Sequence, residues 1–599
     1  MRLPSRAALI CLALLAACGP RPAPTPHTPR ATPVSAGAVA IDPAGLRLAA
    51  VNPDSGSVTL VDLATLTIQA EVALGTDSDP RTLSFTPDST TLLVAEHGAG
   101  TLAVIDAAAG TLARTVTVGA LPYGVVAGSS RAYVSLAGAP QVVVVDLGTW
   151  AVTAAVPLPP FPTGLALAAG EAALYVTHLY SGAVSVLDTA TLTVTQTLAA
   201  APEANLAQFI ALSSDGTRAY VPQTLAFSDR TDLAYDNAVR PIVGVLALSG
   251  GEPPAPLALS TPEQAVNLPF AVALAPECAS PPAASAEGCA ARLYVANAGS
   301  DVVTVLDPAS GATLAALPTG RNPRGLALSA DGARLYVDNV LDGTLDVFDT
   351  TALSRLQRLT LTRLPLAAEV LEGKRLFNSA LEPMAADGWL SCATCHLDGG
   401  DDGRTWAGFP DGPRNTPALL VSAASLPLHW NGNLDEFQDT EATIRVIQGG
   451  AGLIAGDAHL SLGPANAGRS AALDALAAYL ATLTPPPSPY APDAETLARG
   501  ERAFARWGCA TCHSGAAFSD QQTHTSSIGD AALERNQTGP LPRFDTPALA
   551  GAWATAPYFH DGSAATLRDT FFSVGFHNMG PAMNPGEVID LVAYMQSLP

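Results

Sequence analysis

A repeat of about 40 residues constrains this chain more than any other feature, because that is the period of a four-stranded propeller blade. Leu174-Tyr-Val-Thr-His178 with Val184-Ser-Val-Leu-Asp188 returns as Leu293-Tyr-Val-Ala-Asn297 with Val303-Thr-Val-Leu-Asp307. A third copy is Leu335-Tyr-Val-Asp-Asn339 with Leu345-Asp-Val-Phe-Asp349. Degenerate copies end at Asp62, Asp106 and Asp146, and another begins at Ala219-Tyr220-Val221. Each unit reads as strand, Gly or Asn turn, strand, Asp turn, strand. Units starting near residues 37, 80, 121, 161, 205, 267 and 322 predict an all-β propeller over 37–362, with seven blades closing the ring. The 51 glycines and 50 prolines suit so many turns.

The phrase Leu-Tyr-Val-x-Asn resembles the YVTN family of bacterial β-propellers, a likeness that bears on fold and says little about activity. Insertions around Phe227 to Arg240 and Cys278 to Cys289 should project from one rim as longer loops, and in an exported protein Cys278 and Cys289 would pair as a disulfide. His97 and His178 fall in blade loops and read as solvated or hydrogen-bonded residues.

Arg2 and Arg6 precede an apolar run from Ala7 to Ala17, the charged and hydrophobic regions of an export signal over residues 1–18. The run is too short to span a bilayer as a mature helix. It ends in Leu15-Ala-Ala-Cys18, which resembles a bacterial lipobox whose cysteine is lipidated; an ordinary secretory signal is the alternative. Residues 19–36, rich in Pro and Thr, read as a tether. The expectation is a periplasmic or cell-surface protein, an outer-membrane lipoprotein, that meets the membrane only through a lipid anchor. A net charge of -23 would be repelled by phosphate backbones, so nucleic acid is not expected as a partner.

The chemistry begins at Cys392-Ala-Thr-Cys395-His396 and recurs as Cys509-Ala-Thr-Cys512-His513. Cys-x-x-Cys-His attaches c-type haem: the thiols add to the vinyl groups and the imidazole becomes the proximal iron ligand. Two covalently bound haems are therefore expected. The surroundings repeat as well, with Gly373-Lys-Arg-Leu-Phe377 matching Gly500-Glu-Arg-Ala-Phe504, and Leu476-Ala-Ala-Tyr479 matching Leu591-Val-Ala-Tyr594. These predict the first and last helices of two mainly α-helical cytochrome c domains, 363–486 and 487–599, divided at Thr484-Pro-Pro-Pro-Ser-Pro489.

Phrases from residue 366 to the end resemble the bacterial di-haem cytochrome c peroxidase family, MauG included. They are Gly373-Lys-Arg-Leu-Phe377, Ser391-Cys-Ala-Thr-Cys-His396, Arg414-Asn-Thr-Pro417, His429-Trp-Asn-Gly432, Phe544-Asp-Thr-Pro547 and Thr555-Ala-Pro-Tyr-Phe-His-Asp-Gly562. The resemblance implies reduction of H₂O₂ at the N-terminal haem, with electrons relayed through the C-terminal haem from a donor protein. MauG-like oxidation of a partner protein presented by the propeller, a non-catalytic electron-transfer cytochrome, and a propeller acting as a surface binding module remain alternatives. It also implies one Ca²⁺, held by the Asn415 side chain and the carbonyls of Thr555 and Pro557, hard oxygen donors that suit this ion.

The pattern departs from the family in three places. Thr405-Trp-Ala-Gly-Phe-Pro410 lacks the histidine that blocks the N-terminal iron in reductively activated members, so this iron is expected open, with His429 or His459 as the remaining candidates for a sixth ligand. The catalytic acid falls among Asp435, Glu436, Gln438, Asp439 and Glu441; straight counting gives Gln438, a small shift gives Glu436, and Glu436 is preferred. At the C-terminal iron the family position is Val574, which cannot bind metal, leaving Met583, then Met579 and His577, as distal candidates. His560 is expected beside this haem. Trp406 and Trp430 flank the first haem region and Trp507 and Trp553 the second, one of them being a candidate electron relay.

Overall fold

The structure, a computed structural model, describes residues 30–235, 237–261, 263–275, 291–528, 534, 542–573 and 575–599. The export signal, Cys18, most of the tether, Cys278, Cys289 and Val574 lie outside the described residues. Among those described, no helix is long and apolar enough to cross a membrane.

Seven antiparallel sheets follow one another along the chain: blade 1 (residues 39–73), blade 2 (80–117), blade 3 (122–157), blade 4 (162–198), blade 5 (204–258), blade 6 (269–318) and blade 7 (323–360). The chain has a seven-bladed β-propeller. Within a blade the strands lie in sequence order from axis to rim, and the middle strands are buried on both faces between neighbouring blades. This is why Gln141-Val-Val-Val-Val-Asp146 is an unbroken apolar run and the outermost strand Ser354–Thr360 is mostly exposed. The repeated Asp at the end of the third strand has a local cause. In Asp62, Asp106, Asp146, Asp188, Asp307 and Asp349, Oδ1 accepts from the backbone N–H groups two and three residues on, closing the turn to the outer strand. Blades 1 and 7 close the ring by side-chain packing, with Val39, Leu48 and Ala50 against Tyr336, Leu345 and Val347.

The two faces of the propeller have different occupants. At the ends of the inner strands, Arg30 donates through Nε to Ala127 O at 2.8 Å and through its guanidinium to Phe85 O, while Val34–Ser35 pairs with the inner strand of blade 4. At the starts of the inner strands sits the remainder of the chain, in contact with blades 1, 2, 4, 5, 6 and 7.

That remainder contains α1 (Ala368–Asn378), α2 (Cys392–Cys395), α3 (Thr440–Val446), α4 (Ala471–Leu480), α5 (Ala494–Arg506) and α6 (Pro585–Gln596). α1 packs on α4 and α5 on α6, and the two pairs repeat each other in detail. A Cβ on Gly373 would lie 1.9 Å from Ala475 O, and one on Gly500 would lie 2.2 Å from Asp590 O, so the helices cross where no side chain fits. Beside each glycine an aromatic pair locks the crossing: Phe377 on Tyr479 at 5.2 Å and Phe504 on Tyr594 at 5.4 Å. Gly373→Ala and Gly500→Ala should each cost about 2–3 kcal/mol by overpacking, against a few tenths for an exposed control such as Glu495→Ala; denaturant midpoints measure it.

Candidate functional site

α2 is anchored before it begins. Ser391 and Thr394 form a reciprocal cap, and Asn267, which precedes blade 6, donates to Trp389 O (3.0 Å) and Thr394 Oγ1 (2.9 Å) while accepting from Ser391 Oγ (2.8 Å). His396 then ends the helix with Nδ1 3.3 Å from Gly400 O. The second motif repeats this device, with His513 Nδ1 3.1 Å from Phe518 O. A carbonyl on Nδ1 fixes the tautomer and leaves Nε2 as a lone-pair donor, the usual arrangement of a metal-binding imidazole. Burial, together with the charge of nearby His429, lowers His396 to about 4; burial also lowers His513. Both rings are therefore neutral at physiological pH. None of the four motif cysteines is taken up in a disulfide, so both pairs are available to a haem.

The second imidazole has a partner. The His577 ring centre lies 6.5 Å from that of His513, and its buried Nδ1 has no hydrogen-bond partner. Two imidazoles sharing one ion at a metal–nitrogen distance of about 2 Å would have ring centres roughly 6 Å apart, so this pair is spaced to hold a single metal. Met583, first in the sequence ranking, is 7% exposed and packs with Leu591 and Met595 against the α5–α6 core; Met579 packs partly against the same cluster.

Between the helical pairs lies a polar junction. Trp430 donates through Nε1 to Asn415 O at 2.8 Å and accepts at its own carbonyl from Asp545 N at 2.7 Å, so it is bonded to both sides. Asn415 meets the Thr555–Pro557 segment directly, with Nδ2 2.6 Å from Pro557 O. His560 stacks on Phe544 at 3.9 Å and lies 3.2 Å from Glu534, which also accepts from Arg414 at 2.8 Å. Burial raises Glu534, but His560 and Arg414 outweigh it and hold the carboxyl below its ordinary value. Burial also raises Asp545 to about 7, with Asp520 adding to the shift. Glu534 stands in none of the phrases that sequence reading picks out, and Asp545 is legible only as the Asp of Phe544-Asp-Thr-Pro547.

The candidate acids are engaged elsewhere. Glu436 accepts from the backbone of Asn466, Asp435 from Leu462 N at 3.1 Å, and Gln438 donates to Asp474 at 2.9 Å. Asp439 accepts from Asn466 Nδ2 at 3.0 Å, and Glu441 accepts from Leu453 N, Ile454 N and Arg445. Together they tie down the loop after α3. His459 belongs to that loop, its Nδ1 on the carbonyls of Pro464 and Ala465, whereas His429 is the histidine brought near His396.

The propeller forms part of this site. The blade 5 insertion reaches over Trp406: Ala407 N donates to Ser228 O at 2.8 Å, and Leu233 packs with Trp389, Leu390, Trp406, Phe409 and Cys395. Trp406 Nε1 is bound to Asp402 Oδ2 at 2.9 Å.

The family described as RoxA-like, cytochrome c-like matches residues 544–573. The cytochrome c551 peroxidase of Pseudomonas aeruginosa is 27% identical over 272 residues, 38% of this chain and 77% of that protein. The chain is a relative of the di-haem cytochrome c peroxidases. The methylamine utilization protein MauG of Methylorubrum extorquens is 29% identical over 287 residues, 39% of this chain and 79% of MauG. A chain of Kuenenia stuttgartiensis hydrazine synthase superposes with a TM-score of 0.47 at 20% identity, covering 52% of this chain and 94% of its own. Kinship with the di-haem peroxidases and the cytochrome c match imply covalently bound haem c and an oxidoreductase. The donor set fits that group: two thiol pairs, each followed by an imidazole whose Nδ1 lies on a backbone carbonyl, and a further imidazole whose ring centre is 6.5 Å from that of His513.

Proposed function

We propose that the chain is an exported di-haem peroxidase that reduces H₂O₂ to water, consuming two electrons and two protons per peroxide. Cys392, Cys395 and His396 would hold the first haem and Cys509, Cys512 and His513 the second, with His577 as the distal ligand of the second. Haem iron supplies the redox centre at which the peroxide O–O bond is cleaved. The observation that carries this reading is Trp430, hydrogen-bonded to both modules and lying between two matched Cys-x-x-Cys-His turns. Trp430 is the proposed relay between them, and the Asn415, Thr555 and Pro557 oxygens are the proposed Ca²⁺ ligands at the same junction. Export and the lipid anchor at Cys18 rest on the leader sequence, and the donor is a protein meeting the second haem.

A second reading has its own support. This is a non-catalytic electron-transfer cytochrome with both irons six-coordinate, for which His429, whose charge His396 feels, is the candidate sixth ligand of the first. Optical and EPR titration of the holoprotein with H₂O₂ separates the two, in the ferric state and after one-electron reduction. A peroxidase turns peroxide over in at least one state, and turnover in the resting state points to MauG-like chemistry. Two low-spin haems inert in both states would leave electron transfer alone.

A further inference from the structure

The turn that carries the first proximal histidine is bolted to the mouth of the propeller. His396, Leu397, Asp398, Gly399 and Gly400 form a tight loop in which Gly399 N donates to His396 O (3.0 Å) and Gly400 O receives His396 Nδ1. Asp398 takes a left-handed backbone at its centre (φ 51°) and turns its carboxylate away to the propeller axis. There Oδ2 accepts from Arg81 Nη1 of blade 2 at 2.5 Å, and Oδ1 from Arg324 Nη1 of blade 7 at 2.8 Å. Each guanidinium is itself held. Arg81 is paired with Asp79 (2.7 Å); Arg324 bonds Asn322 Oδ1 (2.6 Å) and lies over the Phe270 ring at 4.7 Å. The four charges sum to zero.

We propose that this clamp is a positioning element through which the propeller sets the reduction potential of the first haem and not that of the second. The proposal rests on the haem reading given above. Reduction removes one positive charge from a haem, so an uncompensated positive charge nearby favours the ferrous state and an uncompensated negative charge the ferric. The two guanidiniums are 16% and 10% exposed and the Asp398 carboxylate 28%, so such a charge is only partly screened by solvent. Asp398→Asn removes a negative charge and leaves the guanidiniums in excess; Arg324→Gln does the reverse. The turn after His513 carries Ser514 and Gly515 where the first carries Leu397 and Asp398, so the second haem has no acid at this position.

The test is an EPR-monitored redox titration of full-length holoprotein. Of the two reduction waves, one should rise in Asp398→Asn and the same wave should fall in Arg324→Gln. Each shift should be about tenfold in the reduction equilibrium, which is about 59 mV for a one-electron couple. The other wave stays in place, and Arg324→Lys, which keeps the charge, stays near the parent. A clamp that merely braces the fold would move both variants in one direction or not at all, and that outcome overturns the proposal. A parent protein without two covalent haems by pyridine haemochrome assay would sink the haem reading itself, a result distinct from intact haems with unmoved waves.

Discussion

A chain lacking residues 36–362 should not accumulate as a folded di-haem protein. The reason is a shared core. Leu206, Phe209, Leu268 and Phe270 of the propeller are buried in one cluster with Phe377, Met384, Leu397, Leu473, Leu476 and Tyr479 of the first helical module. Four large apolar side chains at roughly 2 kcal/mol each approach the whole net stability of an ordinary domain. Deletion would also orphan Asp398, Lys374 and Arg375, whose charge partners are Arg81 with Arg324, Asp54 and Asp342. Expression of 363–599 alone should give aggregated protein with low haem content by gel filtration and haemochrome assay. A monodisperse, fully loaded fragment would show that the two parts are independent after all. Single substitution Phe270→Ala in the intact chain should cost about 3–5 kcal/mol, read from its denaturant midpoint.

The second large effect is expected at His577. His577→Ala should keep both haems attached, since Cys509 and Cys512 are untouched, yet convert the second from low to high spin. Added imidazole should restore the low-spin signal by entering the space the side chain left. Met583→Leu should leave the spin state unchanged and cost only the small penalty of a volume-conserving swap in the α5–α6 core. If instead Met583→Leu changes the ligation and His577→Ala does not, the iron belongs to the thioether. The two ligands also differ in potential, because a thioether stabilises the reduced state relative to a second imidazole.

What could be read from sequence was what repeats. The seven blade starts, the Asp turns and the paired phrases around each Cys-x-x-Cys-His are local patterns, each fixed by hydrogen bonds a few residues long. Asp398 shows what such reading misses. Its partners lie 317 and 74 residues away, and neither Arg81 nor Arg324 stands in a motif, so only the closed ring brings them together. The same holds for Asn267, an ordinary residue between two blades that becomes part of the cap on α2. For the acids after Trp430 the sequence shows a run of carboxylates and not which of them the next loop takes up with its own backbone N–H groups. At the second haem the sequence offers Met583, Met579 and His577 together, and only the fold shows that Met583 is buried in the α5–α6 cluster while the His577 ring centre lies 6.5 Å from that of His513.

The opposed occupancy of the two propeller faces gives the molecule a direction. The chain enters at the ends of the inner strands, where Arg30 and Val34–Ser35 are fixed, and the haem-bearing half caps the starts of those strands. An inner strand such as Pro80–Phe85 has six residues, or about 20 Å at roughly 3.3 Å each. Arg30 and the first haem turn are therefore held on opposite faces of the ring, separated by the depth of a blade.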